Sequence, residues 1–226
     1  MVGTRHIVGL AVDDSGVVAA ELCVRAGRTE TRDVGEFTWE GEFTVENARE
    51  QGQRLHKFLR EQGVTAKRAV IGLAARWVLA KEVEAPPASP EALAGMLAIQ
   101  AERVFSMNAG ELVFDYCGRT SASEKGQVLL LAARRQVVDQ MKELAEAAGL
   151  HIETITVSAF ACGRSPSESG AACRYGLYTR PTYCEFWDQF DGSPRFIKHI
   201  PMVLDGNPSG YADLLGSTIQ RQILLS

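Results

Sequence analysis

The stretch from His6 to Cys23 constrains the fold most. It reads as an apolar run, a turn of Asp13, Asp14, Ser15 and Gly16, and a second apolar run. Val and Ile fit a pleated, half-buried surface, while Asp, Ser and Gly tolerate turn dihedrals, so the stretch predicts a β-hairpin at the start of the chain. Ile7, Leu10, Val12, Val17 and Leu22 are its core-facing candidates. A hairpin must pair and cover one face, so the rest of the chain has to supply further strands and helices to cover it.

It does so by alternation. Residues 29–39 predict a third strand. From Val45 the apolar period becomes helical, with Val45, Ala48, Leu55, Phe58 and Leu59 on one face, Thr44 as cap and Gly63 as stop. Residues 70–73 predict a short buried strand and residues 77–84 another, closed by Pro86 and Pro87. Ser89 followed by Pro90 is a helix start, because Ser caps and Pro is preset for the first turn. That helix turns Leu93, Leu97, Ala101, Val104 and Phe105 inward. Strands over 112–116 and 128–133 flank a polar loop, and a second amphipathic helix over 135–148 buries Val138, Met141, Leu144, Ala145 and Ala148 before Gly149. A strand over 152–157 follows. The segment 164–170 is poor in apolar residues and predicts a domain boundary. Beyond it come strands over 172–178, 182–189 and 195–202, the last two joined by an Asp191-Gly192 turn, and a helix over 211–225 carrying Leu214, Leu215, Ile219 and Ile223.

Composition excludes several classes. The 226 residues are 46% hydrophobic, enough for a real core, and carry 24 Lys and Arg against 28 Asp and Glu. With no basic cluster interleaved with aromatics, nucleic acid is not an expected partner. No run approaches the roughly 20 apolar residues of a membrane span, and the first residues lack a signal-peptide core, so a cytoplasmic chain is expected. The five cysteines (Cys23, Cys117, Cys162, Cys173 and Cys184) are odd in number and contain no C-x-x-C pair. The spacing of the last three is far from that of zinc ligands, so reduced buried thiols and no metal are expected.

Other candidates are weaker. Arg134 and Arg135 at a helix start could meet an acidic partner or simply solvate a helix end. His6, His56, His151 and His199 fall in four separate elements, and no nucleophile motif such as G-x-S-x-G is present. The segment 206–210 (Gly-Asn-Pro-Ser-Gly) precedes a helix but lacks the Lys of a P-loop, and reads as a loop.

Four stretches carry a family resemblance: Gln100-Ala-Glu-Arg-Val-Phe105, Leu112-Val-Phe-Asp-Tyr116, the run from Val128 to Asp139, and Leu144-Ala-Glu-Ala-Ala-Gly-Leu150. With the opening hairpin and the run from Pro194 to Pro201, they resemble the PilM family of type IV pilus assembly proteins and the related cytoplasmic part of GspL in type II secretion. The resemblance implies an α/β, actin-like (ribonuclease H-like) fold related to FtsA. It implies a first domain over residues 1–163 with a small α+β subdomain inserted at about 74–134, then a truncated second actin-like half over 164–226.

Actin-like proteins hold ATP between two hairpins of pattern Asp-x-Gly, the Asp positioning a metal ion and its water and the Gly admitting backbone amides to the phosphate. On the first hairpin of this chain Ala11 takes the Asp position and Asp13 the Gly position, followed by Asp14, Ser15 and Gly16. A carboxylate facing a phosphate repels it by on the order of several kcal/mol at an effective dielectric of about 20. On the second hairpin Tyr178 and Arg180 take those positions, followed by Pro181, which has no amide to donate, and Thr182. Both loops are thus expected to be degenerate, with no catalytic residue, cofactor or metal. The resemblance implies a non-catalytic scaffold of a pilus or secretion platform, held at the cytoplasmic face of the inner membrane through protein contacts. Its implied partner is a peptide of a PilN-like membrane protein or a secretion assembly ATPase. The alternative is a nucleotide-binding actin-like ATPase or switch using ATP with Mg.

Overall fold

Val12 stands opposite Val17 across the first turn, where β1 (Arg5–Val12) and β2 (Gly16–Arg25) pair antiparallel as the hairpin that the sequence predicts. The computed structural model describes residues 5–25, 28–163, 175–180, 182–190, 193–202, 213 and 215–221. β3 (Arg28–Thr38) pairs antiparallel with β2. After helix α1 (Ala48–Glu61), β4 (Arg68–Leu73) lies parallel to β1 on its other side. The chain then builds a separate sheet from β5 (Val78–Ala85), β6 (Leu112–Gly118) and β7 (Gly126–Arg134), with α2 (Pro90–Phe105) against it. It returns through α3 (Arg135–Ala147) to β8 (His151–Val157), parallel to β4. The first sheet has the order β3-β2-β1-β4-β8.

The main core lies between that sheet and α1 and α3. Val8, Leu10, Val12 and Ile71 from the strands meet Leu55, Leu59, Met141 and Leu144 from the helices, all nearly inaccessible to solvent. Each such side chain contributes roughly 1.5–3 kcal/mol by leaving water. The helices approach closely at Gly52, where a Cβ would fall 2.4 Å from the Leu144 carbonyl oxygen. One charged group sits in this region: Glu21 of β2 accepts from the Thr65 amide and hydroxyl and from the Ala66 amide at 2.7–2.9 Å, so it caps the loop that feeds β4.

The inserted sheet has its own small core, in which Leu93, Leu97 and Ala101 of α2 pack on Ala85, Val128 and Leu130. Val104, expected inside, is exposed. The start of α1 also differs from expectation. Its N-cap is Asn47 rather than Thr44, and Val45 lies exposed in the preceding turn. Asn47 Oδ1 accepts from the Thr44 amide and its Nδ2 donates to the Glu42 carbonyl, so its side chain folds the approach to the helix instead of capping it.

After β8 comes α4 (Ser158–Gly163), a single turn and a half. A third sheet, ordered β11-β10-β9, contains β9 (Tyr175–Thr179), β10 (Tyr183–Phe190) and β11 (Ser193–Pro201). Its central strand is buried on both faces: every residue from Tyr183 to Gln189 is shielded. Trp187 and Ile197 pack with Ala75, Val157 and Ala159, which joins the third sheet to the ends of β4 and β8. The expected boundary over 164–170, residues 172–174, Pro181, the Asp191-Gly192 turn and the 206–210 loop lie outside the described residues. Residues 213 and 215–221 of the expected last helix are helical, with Leu215 and Ile219 half-buried. Leu214 and Ile223 fall outside the description.

Candidate functional site

The turn between β1 and β2 is held from within by Asp13. Its Oδ1 accepts from the Ser15 amide (2.7 Å), the Ser15 hydroxyl (2.5 Å) and the Gly16 amide (3.0 Å), an Asx-type turn. Trp39 at the end of β3 donates its indole N–H to the Asp13 carbonyl and its amide to the Ser15 carbonyl. Gly16 is required here by proximity, because a Cβ would fall 1.9 Å from the Phe37 carbonyl oxygen.

Facing it is the turn between β9 and β10, closed by the Arg180 amide donating to the Tyr183 carbonyl. The Tyr183 hydroxyl donates to Asp13 Oδ2 at 2.7 Å, and Arg180 Nε stands 3.4 Å from the same oxygen. Arg180 Nη2 also donates to Glu36 Oε1 at 2.5 Å and to Ser15 Oγ at 3.3 Å. Burial alone would raise the Asp13 carboxyl, but the bonds from Ser15 and Tyr183 and the Arg180 charge outweigh it and hold it below the ordinary carboxylate value. Burial first, then the bond to Asp13, pushes the Tyr183 phenol well above its ordinary value. Asp14, on the solvent side of the turn, pairs with Arg76. Neither carboxylate is left as bare negative charge, although the sequence alone suggested that both would be.

The residues expected to form two phosphate loops are therefore brought together in part. Asp13, Asp14, Ser15 and Gly16 form one turn, and Arg180 and Thr182 belong to the one opposite; Pro181 lies outside the described residues. Ala11 remains half-buried within β1, and Tyr178 is half-buried against the cluster around Trp187 and Ile197. Tyr183, Glu36, Trp39 and Arg76 complete the junction without having been signalled in the sequence. A buried Tyr directly after the turn, inside a strand otherwise rich in aromatics, is the one trace they left.

Below the junction, Glu185 of β10 is buried and accepts from the Ala75 amide, a second link between the third sheet and the end of β4. Burial pushes its carboxyl up to about 7, with the nearby Asp13 charge adding to the rise and the Ala75 bond opposing it. Beside it, a groove of about 660 Å3 runs between β5 and β11, bordered by Arg76, Leu79, Ala80, Ile197, Lys198 and His199. Leu79 is 39% exposed there. β5 and β11 are edge strands of their sheets, so the groove has a sheet edge on each side.

The remaining candidates have local roles. Arg135 donates to the carbonyls of Gly110 and Leu112 and so anchors the inserted sheet to the start of α3. His56 Nδ1 lies 2.7 Å from the Ala148 carbonyl, a bridge between α1 and α3, whereas His151 is exposed at the start of β8. The His199 ring packs 4.9 Å from that of Tyr183, and burial and the Arg76 charge lower its pKa. Burial raises the Cys184 thiol, and Cys173 lies outside the described residues. Among the described residues no three His, Cys, Asp or Glu side chains are grouped to hold a metal ion, and no helix is long and apolar enough to cross a membrane.

A five-stranded mixed sheet flanked by helices, a small inserted sheet and a following three-stranded sheet define an actin-like fold. Solved structures share it, among them two from assembly systems. The PilM-PilN type IV pilus biogenesis complex matches with a TM-score of 0.72 and 19% identity, over 86% of this chain and 61% of that one. The cytoplasmic domain of EpsL, an inner membrane component of the type II secretion system of Vibrio cholerae, matches with a TM-score of 0.60 and 12% identity, over 87% of this chain and 71% of that one. The chain thus spans less than two thirds of the PilM-PilN complex chain that it matches. A comparison with curated protein sequences finds no match. The chain belongs to the family described as Type IV pilus assembly protein PilM, which matches residues 36–171, more than half of its length.

Proposed function

We propose that this chain is a non-catalytic, actin-like scaffold of a type IV pilus or type II secretion assembly platform. The observation that carries the proposal is the commitment of Asp13: its two oxygens take three donors from its own turn, the Tyr183 hydroxyl and the Arg180 ion pair. A magnesium nucleotide at this junction needs a free carboxylate for the metal's water and free amides for phosphate. Ala11 offers no side-chain oxygen, the Gly16 amide is taken by Asp13, and Arg180 and Tyr183 fill the approach from the other side. These residues do not suit Mg-ATP, and no catalytic step is assigned to them.

The same proposal divides the chain into a first domain over 1–163, with the inserted subdomain at about 74–134, and part of a second half over 164–226. It takes as partner the cytoplasmic peptide of a PilN-like membrane protein, or a secretion assembly ATPase, reached at the inner face of the membrane through protein contacts. The groove between β5 and β11 suits an extended peptide, since an edge strand offers backbone groups and Leu79 and Ala80 offer apolar surface.

Titration of the chain with a synthetic PilN-like N-terminal peptide, and pull-down with a secretion ATPase domain, test the partner. One of the two is expected to bind, and peptide binding is expected to weaken at least tenfold in Leu79→Asp. Retention of neither would sink the partner reading. Thermal unfolding with and without Mg-ATP tests the rest: a ligand selective for the folded state must raise the midpoint, so an unchanged midpoint is expected and a clear rise would restore a nucleotide-dependent role.

A further inference from the structure

The two turns at the junction are bonded to each other, and every donor and acceptor in that bonding belongs to the chain. Tyr183 Oη reaches Asp13 Oδ2, and Arg180 Nη2 reaches both Ser15 Oγ and Glu36 Oε1. All three acceptors lie on the first sheet or its turn, and both donor side chains lie at the turn of the third sheet. One link runs the other way, from the Ala75 amide after β4 to Glu185 of β10. Asp13 is 6% exposed, so its charge-assisted bonds are poorly screened by water. The planar guanidinium reaches two carboxylates and a hydroxyl at once, which a single ammonium does not reproduce.

We infer that Arg180 and Tyr183 form a built-in tether that does the work of a bridging ligand, an inference that rests on the nucleotide-free reading above. In a nucleotide-binding actin-like protein a phosphate contacted from both turns links the two halves. Here a guanidinium and a phenol on one turn bind a carboxylate on the other, so the first and third sheets keep one relative placement with no ligand between them. Asp13 at the glycine position is then a working part: it caps its own turn with one oxygen and receives the opposite turn with the other.

Hydrogen exchange of the full chain, measured on Arg180→Ala and separately on Tyr183→Phe, tests the tether. Neither substitution removes a core side chain from the first sheet. Both are expected to speed exchange tenfold or more at the amides of Ser15, Gly16 and Trp39, while Ile71 and Leu73 within β4 stay within twofold of the parent. Arg180→Lys is expected to fall between. Small-angle scattering of the Arg180→Ala, Tyr183→Phe double variant is expected to show a larger radius of gyration. Unchanged exchange at the turn in both single variants overturns the tether. So does acceleration that is uniform and includes β4, because that marks general destabilisation. Mg-ATP separates the two proposals: a raised melting midpoint in the parent ends the nucleotide-free reading and, with it, the tether's role in place of a ligand. An unmoved midpoint with unchanged exchange ends the tether alone.

Discussion

The Tyr183 hydroxyl donates to Asp13 Oδ2 at 2.7 Å and joins residues 170 positions apart in the chain. Tyr183→Phe removes the donor, keeps the ring against His199, and leaves that oxygen to Arg180 alone. A buried bond to a charged acceptor is worth about 1.5–3 kcal/mol, so the variant is expected to lose about that much unfolding free energy, read as a lower denaturant midpoint at an unchanged slope.

Acid should loosen the same contact. The Asp13 carboxyl is held below its ordinary value of 3.8, so its folded-state pKa lies below its unfolded one. Its contribution is present above that value and is lost as pH falls through the folded-state pKa. Stability measured between pH 5 and pH 2 is expected to fall more steeply in the parent than in Asp13→Asn.

Glu185 acts with the opposite sign. Its carboxyl is raised from 4.5 to about 7, so the folded state holds a proton that the unfolded chain has released. Its contribution is full below 4.5 and is lost as pH rises to about 7, a span of on the order of 3 kcal/mol. Glu185→Gln keeps an acceptor for the Ala75 amide and titrates nowhere in this range. Urea denaturation at pH 5 and pH 8 is expected to show a smaller pH effect in this variant, and higher stability than the parent at pH 8.

Gly52 offers a test of packing. Adding a methyl group there places it 2.4 Å from the Leu144 carbonyl oxygen and 2.7 Å from the Ala147 methyl, and both atoms belong to a neighbouring helix that cannot yield cheaply. Gly52→Ala is expected to destabilise by about 1–3 kcal/mol, although alanine is the better helix former. A thermal midpoint equal to or above the parent's would show that α1 and α3 can move apart.

The strands and longer helices were legible because their signal is local. Val12 and Val17 flank a turn that only a hairpin satisfies, and Val138, Met141, Leu144 and Ala145 repeat at helical spacing through α3. The six-residue α4 is too short for periodicity to show. The start of α1 was misread because Thr44 and Asn47 are both competent caps, and only the fold decides that the Asn47 side chain turns back to Thr44. The inner junction was illegible for a different reason. Ala11, Asp13 and Arg180 could be seen to depart from a phosphate-loop pattern, but their mutual contacts depend on how two sheets distant in sequence face each other. The burial of Glu185 likewise left no local sign, because it follows from β10 being covered on both sides.

The inserted sheet leaves after β4 and returns at α3, inside the connection that carries the chain from β4 to its parallel neighbour β8. Both pairing strands are fixed by the main core, and the cost of closing a connection grows only slowly with its length. That position therefore tolerates change: lengthening, shortening or resurfacing residues 78–134 is expected to leave the order and register of the five-stranded sheet as they are.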